Sequence, residues 1–236
     1  MSFKNKNILI IGASSGIGQA LAQSLLKEEA NLFLASRSKP ELDGDFKYIE
    51  LDVLNMNDEL KELPDELHGL AYCPGSINLK PFRSLKADDF INDFKLNTLG
   101  AAMAIQHCLK KLTSADGSSI VLFSTVAANT GLSFHASIAS AKGALQGLGL
   151  SLASELAPKK VRVNVVAPSL TDTPLASNLL SNEDKKESSN KRHPIGRYGK
   201  AEDIANAAQF LLDDANSWIT GQVIGVDGGM ETIRNI

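Results

Sequence analysis

Short runs of consecutive apolar residues recur along the chain. Between them lie longer stretches in which apolar residues return every three or four positions. The first run, Ile8, Leu9, Ile10 and Ile11, reads as a strand covered on both faces, because a half-exposed strand would alternate. It breaks at Gly12, Gly16 and Gly18, and then Ile17, Leu21, Leu25 and Leu26 share one helical face. Further strands are predicted over 31–35, 47–51, 69–72, 119–123, 161–166 and 222–226. Long helices are predicted over 87–112 and 137–156, a shorter one over 201–212, and a short acidic one over 57–63. Only eight residues separate Arg37 from Phe46, too few for a crossover helix, so that helix is expected to be absent or reduced to a turn. The alternation predicts an α/β fold: a doubly wound, Rossmann-type parallel sheet of seven strands with helices on both faces. No repeat or linker divides the chain, so a single domain over 1–236 is expected.

The glycine turn after the first strand carries the first chemistry. Glycine takes positive φ without penalty, and a missing Cβ lets an anion approach the backbone. The helix behind it opens with unpaired N–H groups and the positive end of its dipole. The stretch therefore reads as a pyrophosphate cradle or as an ordinary βα turn. The helix over 137–156 is crowded with Ala139, Ala141, Gly143, Ala144, Gly147 and Gly149. Small residues suit close packing against a neighbour, such as a second subunit. Residues 170–194 are polar and charged, and read as a mobile substrate lid or as a plain solvated excursion.

Composition narrows the setting. Apolar residues make up 43% of the chain, ample for a core, and the net charge of −3 argues against nucleic acid or an anionic membrane as the main partner. No apolar run approaches the ~18 residues that span a bilayer. Residues 1–7 lead straight into the first strand, so no leader is expected. Cys73 and Cys108 form neither a metal pattern nor a disulfide framework. A reducing, cytoplasmic setting is expected, with no metal.

The predicted strand ends carry the glycine turn, Ser36-Arg37, Asp52-Val53, Cys73-Pro74-Gly75, Ser124-Thr125 and Pro168-Ser169. Ligands bind at such ends in doubly wound sheets. Together with Thr173-Pro174 and the tail from Ile219 to Gly229, they resemble the short-chain dehydrogenase/reductase family over essentially the whole chain. The resemblance implies strand order 3-2-1-4-5-6-7 and a nicotinamide cofactor across the strand ends. Gly12, Ser14, Ser15, Gly16, Ile17 and Gly18 would meet its phosphates. Cys73, Gly75, Pro168 and Thr173 would line the rest of its path. Ser36 stands where an NAD-preferring relative places a carboxylate, and Arg37 beside it offers forked donors suited to a 2′-phosphate, so NADP(H) is expected. A solvated surface charge is the plain alternative for Arg37. Asp52 and Val53 match the adenine contact; a strand-end turn aspartate is the alternative. Asn97 matches an asparagine whose backbone organises a relay water, or is a polar core residue. Lys142 matches the lysine that holds the nicotinamide ribose.

At one place the pattern departs. The family's proton-donating tyrosine lies four residues before its lysine, a position filled here by Ile138. The serine thirteen residues earlier is Thr125, which keeps a hydroxyl to orient a carbonyl, a task Ser124 beside it could also take. Loss of a general acid typically costs about 10²–10⁴ in rate. His135, three residues before Ile138, is a chemically plausible donor or a surface-turn histidine. The sequence leaves three readings: another acid, a reaction that needs little protein acid, or a binding protein that no longer turns over and serves as a cofactor sensor or assembly partner. A small-molecule substrate and a homodimer or homotetramer built on the helices over 87–112 and 137–156 are expected.

Overall fold

The structure is a computed structural model and describes residues 3–234. The chain runs β1 (Asn7–Ile11), α1 (Gly16–Lys27), β2 (Asn31–Ser36), β3 (Phe46–Glu50), β4 (Gly69–Tyr72), α2 (Ala87–Phe94), a π turn (Lys95–Leu99) and α3 (Gly100–Ser114). It continues through β5 (Ser118–Phe123), α4 (Ala136–Leu156), β6 (Val161–Pro168), β7 (Thr171–Asp172), α5 (Glu183–Arg192), β8 (Gly199–Lys200), α6 (Ala201–Leu212) and β9 (Val223–Val226). Seven strands form one parallel sheet in the order β3-β2-β1-β4-β5-β6-β9, while β7 and β8 pair as a separate two-stranded ribbon. This is the order the family resemblance implied, with β9 as the seventh strand of the sheet.

The register explains the uninterrupted apolar runs. Ile10 of β1 lies between Leu34 of β2 and Ala71 of β4. Alternate side chains leave opposite faces. Ile8 and Ile10 join the core that includes Leu21 and Leu25 of α1 and Ile204 and Ala208 of α6. Leu9 and Ile11 join the other, with Ile105 of α3 and Leu145 of α4. The four apolar side chains of β1 are essentially inaccessible, and each such burial contributes about 1.5–3 kcal/mol. No helix in the described residues is long and apolar enough to cross a membrane.

Three elements differ from the sequence-based expectation. Residues 57–63 form turns instead of a short helix. The Asn57 N–H donates to the Glu59 carboxylate (2.7 Å) and the Lys61 N–H to the Asp58 carbonyl (3.0 Å), so side-chain acceptors and tight turns capture donors a helix would need. Leu60 and Leu63 are still buried. The stretch over 87–112 is two α-helices joined by the π turn. Tyr72 Oη donates to the Leu96 carbonyl (2.7 Å), and the Gly100 N–H reaches back to Lys95 instead. A side chain has entered the hydrogen-bond ladder. Finally, 170–194 is largely helical. It holds a 3₁₀ run (Pro174–Leu180) and α5, whose first turn is capped by Asn182 accepting from the Lys185 N–H (2.9 Å). Only Ser189 of α5 is buried, so this helix carries no apolar stripe by which a sequence would reveal it. Between β2 and β3 there is no helix, as the eight-residue spacing required.

Candidate active site

The β1–α1 turn is shaped by close approach. Gly12 has φ +81°, and a Cβ on Gly18 would overlap the Gly12 carbonyl oxygen, so the helix packs onto the turn only without a side chain there. Ser15 occupies the N-cap of α1 but its side chain makes no capping bond. The first N–H groups of a twelve-residue helix therefore open into the adjoining groove, a fitting place for a phosphate. The groove encloses about 300 Å³. Its walls include Gly12, Ser14, Ser15, Gly16, Ile17, Gly18, Ser36, Arg37, Asp52, Val53, Cys73, Gly75 and Thr173, together with Leu175. Pro168 and Lys142 stand outside this wall.

At the far end of the groove Ser36 is buried, its hydroxyl donating to the Ser38 carbonyl (2.8 Å). Arg37 is exposed at the rim and forms no ion pair among the described residues. The Asp52 carboxylate accepts from the Leu54 N–H (3.1 Å) and from Asn55 Nδ2 (2.8 Å), and these bonds hold its carboxyl below the usual range. Asp52 thus shapes its own turn while facing the groove, and each oxygen keeps a lone pair.

The inner end is built around Lys142 on α4. Its Nζ donates to the Phe123 carbonyl (2.6 Å), and burial pulls its ammonium down to about 8, partly offset by Cys73 and Asp93. Nζ lies 3.4 Å from the point where a Gly75 Cβ would stand, and Asn97 Oδ1 lies 3.3 Å from the same point. Lys142 therefore reaches the floor of the groove from behind Gly75. Burial pushes the nearby Cys73 thiol up to about 12, so it is a neutral thiol and not a nucleophile.

Thr125 is half-buried, and its Oγ1 accepts from the Ala127 N–H (3.2 Å), capping a short turn; its own proton remains available. Ser124 is different. Its hydroxyl donates to the Lys142 carbonyl (3.1 Å) and accepts from Gln146 Nε2 (3.0 Å), which fits it to hold α4. His135 is the N-cap residue of α4, with Nδ1 2.7 Å from the Ser133 carbonyl. Ile138, one turn on, is buried. Of the three tyrosines, Tyr72 is committed to the π turn and Tyr48 to the Ser36 carbonyl (3.0 Å).

Two polar clusters escaped sequence reasoning. Asp93, Ser76, Asn78 and Ser137 come together beside Asn97. Ser169 Oγ lies 2.8 Å from Nε2 of the buried His193, whose Nδ1 is 2.6 Å from the Ser189 carbonyl. This pair ties the end of α5 to the end of β6. An aspartate amid the helical pattern over 87–112 was the only available signal for the first cluster; nothing in spacing marks the second.

Parallel strands in this order, a glycine turn feeding an uncapped helix, and a lysine under the groove floor define a nicotinamide-binding oxidoreductase fold: the chain belongs to the short-chain dehydrogenase/reductase family. Residues 12–231 match the family profile described as Enoyl-(Acyl carrier protein) reductase. The 3-oxoacyl-(acyl-carrier-protein) reductase FabG of Thermotoga maritima is 32% identical, the alignment covering 98% of this chain and 99% of that one. A short-chain type dehydrogenase/reductase from Mycobacterium ulcerans superposes with a TM-score of 0.91 at 29% identity, over 100% of this chain and 93% of that one. ElxO with NADP bound superposes at 0.87 with 28% identity, over 96% and 98%.

Proposed function

We propose that the protein is an NADP(H)-dependent oxidoreductase acting on a small carbonyl, alcohol or activated C=C substrate through a non-standard active site. The observation that carries the cofactor choice is the end of β2. Ser36 brings no carboxylate to repel a 2′-phosphate, and the exposed Arg37 guanidinium stands beside it at the groove. The NADP in ElxO supports the same choice. The cofactor supplies or takes the hydride when bound. Gly12 to Gly18 and the N-terminus of α1 hold its pyrophosphate. Lys142 holds the nicotinamide ribose, Asn97 supports the relay and Thr125 orients the substrate oxygen.

The proton comes from a group other than a tyrosine, because Ile138 stands four residues before Lys142. His135 is that group in this reading. Its Nδ1–H goes to the Ser133 carbonyl, which leaves Nε2 as the ring nitrogen to carry a transferable proton. Residues 1–236 act as one domain, with 170–194 as the lid over the substrate, in a cytoplasmic homodimer or homotetramer. With NADPH and a panel of carbonyl and enone substrates, His135→Ala is expected to lower kcat by at least a hundredfold; unchanged turnover removes the role. The burial of Ile138 favours one second reading, an NADP(H)-binding sensor or assembly partner. Tight NADPH binding with no turnover on any member of the panel would decide for it.

A further inference from the structure

Two charged side chains are buried behind the groove floor, Lys142 on α4 (7% exposed) and Asp93 on α2 (3% exposed). Neither belongs to an ion pair among the described residues. A buried charge is retained only where other charges or dipoles compensate it. The Lys142 ammonium donates to one carbonyl, that of Phe123 (2.6 Å), and has two further hydrogens. Ile138, one turn earlier on α4, is buried and has no ionisable group. Two titratable side chains act on the ammonium, Cys73 from the end of β4 and Asp93 from α2. The Cys73 thiol is neutral, since burial pushes it up to about 12. That leaves Asp93 as the counter-charge. Asp89, the next carboxylate on α2, is paired with Lys80 (2.5 Å) and adds no net charge.

The path between the two charges is polar and oriented. Every side chain on the Asp93 carboxylate is a donor: Ser76 Oγ to Oδ1 (2.7 Å), and Asn78 Nδ2 (3.2 Å) and Ser137 Oγ (2.5 Å) to Oδ2. A carboxylate offers only lone pairs, so the single Ser76 proton points at Asp93. The Ser76 oxygen then accepts from Asn97 Nδ2 (2.9 Å). The Asn97 amide therefore presents its negative pole, Oδ1, on the side away from Asp93. There Oδ1 and Lys142 Nζ lie on the two flanks of Gly75, 3.3 and 3.4 Å from its ideal Cβ position. A hydroxyl and an amide, aligned head to tail, carry the negative potential of the carboxylate toward the ammonium.

We propose that Asp93 is a positioning residue of this site, the buried counter-charge of the Lys142 ammonium, acting through the aligned dipoles of Ser76 and Asn97. It fills the electrostatic place beside Lys142 where Ile138 offers no ionisable partner. The pairing needs no bound cofactor; its use in a reaction rests on the reading that Lys142 holds the nicotinamide ribose.

The test titrates Lys142 in nucleotide-free protein by NMR of isotopically labelled lysine side chains. Lys142→Met identifies the signal, and urea unfolding verifies that each variant is folded. The unaltered protein is expected to titrate near pH 8. Asp93→Asn removes the charge at constant size and should lower the proton affinity of Lys142 about tenfold, the order expected of a unit charge a few side chains away at an effective dielectric of ~20. Asp93→Ser, smaller and equally uncharged, is read in its place if the asparagine variant does not fold. Asp93→Glu, which restores the charge, should recover most of the lost affinity. Ser137→Ala loosens the same contact between α2 and α4 but keeps the carboxylate, and should leave the titration unmoved. An unmoved titration in the uncharged variant, or an equal fall in Ser137→Ala, would overturn the pairing. Failure of the unaltered protein to bind NADPH overturns the cofactor reading instead, and is distinguishable because the titration uses no nucleotide.

Discussion

The two ends of the groove are built on different terms. The end proposed for the phosphates is mostly backbone: the glycine turn and the open N–H groups of α1, with Ser36 and Arg37 beside them. Every contributor lies in the turn between β1 and α1, in the first turn of α1 or at the end of β2, between residues 12 and 37. The inner end, behind Gly75, is built from side chains on separate elements: Asp93, Asn97 and Lys142. Each is oriented by a partner on another element. Backbone geometry is set by local sequence rules, whereas a buried polar network exists only once the chain has folded. The first end therefore tolerates little change in shape, and the second little change in hydrogen-bond direction.

That contrast can be broken at several points. The largest effect is expected from Gly18→Val, whose Cβ has no room against the Gly12 carbonyl. It should cost about 3 kcal/mol in urea unfolding and abolish NADPH binding. Arg37→Ala should leave the fold alone and weaken NADPH about ten- to a hundredfold, the value of a charged hydrogen bond, with NADH unaffected; equal losses for both nucleotides would defeat the 2′-phosphate assignment.

The smallest effect concerns pH and the inner end. Folded, Lys142 gives up its proton near 8, below its ordinary 10.5. Above pH 8 the unfolded chain therefore binds the extra proton, and stability rises with pH. Cys73 and Cys108 run the other way: each is pushed up to about 12 from an ordinary 9.0, so the folded chain holds more protons above pH 9 and stability falls. A shallow maximum just below pH 9 is expected, about 0.3 kcal/mol above the value at pH 8. Lys142→Met should remove the rise and keep the fall. A rise that persists in that variant would show that the ammonium is not the group responsible.

The same contrast decides how much could be read beforehand. The strands and the glycine turn were legible because apolar runs and glycine spacing report backbone directly; the strand order and the other groove-lining residues came from the family resemblance. Lys142 was legible because a lysine on an alanine- and glycine-rich face needs a reason. The helix expected over 57–63 failed because its own acidic side chains compete for the backbone. Helix α5 was hidden because it is polar all round. Asp93 was invisible as a partner of Ser76 and Ser137, which lie 17 and 44 residues away: no periodicity links residues whose only relation is a contact between α2, α4 and the loop after β4. Pro168, assigned by resemblance, lies beside the groove and not in its wall.

The π turn over Lys95–Leu99 has a consequence for what lengths of chain this fold accepts. A π turn is an α-helix holding one surplus residue. Removing one residue from it would let the helix close on ordinary four-residue bonds, with α3 and its buried face left where they are. The residues on the other side would swing by about 100°, carrying Asp93 away from Ser137 and the Asn97 amide away from Gly75. The protein with such a deletion should still fold, and its groove should lose its inner end. At this one place a change in length is expected to be silent to the core and decisive for the ligand, because the Tyr72 hydroxyl holds open a gap in the helix that the sheet itself does not require.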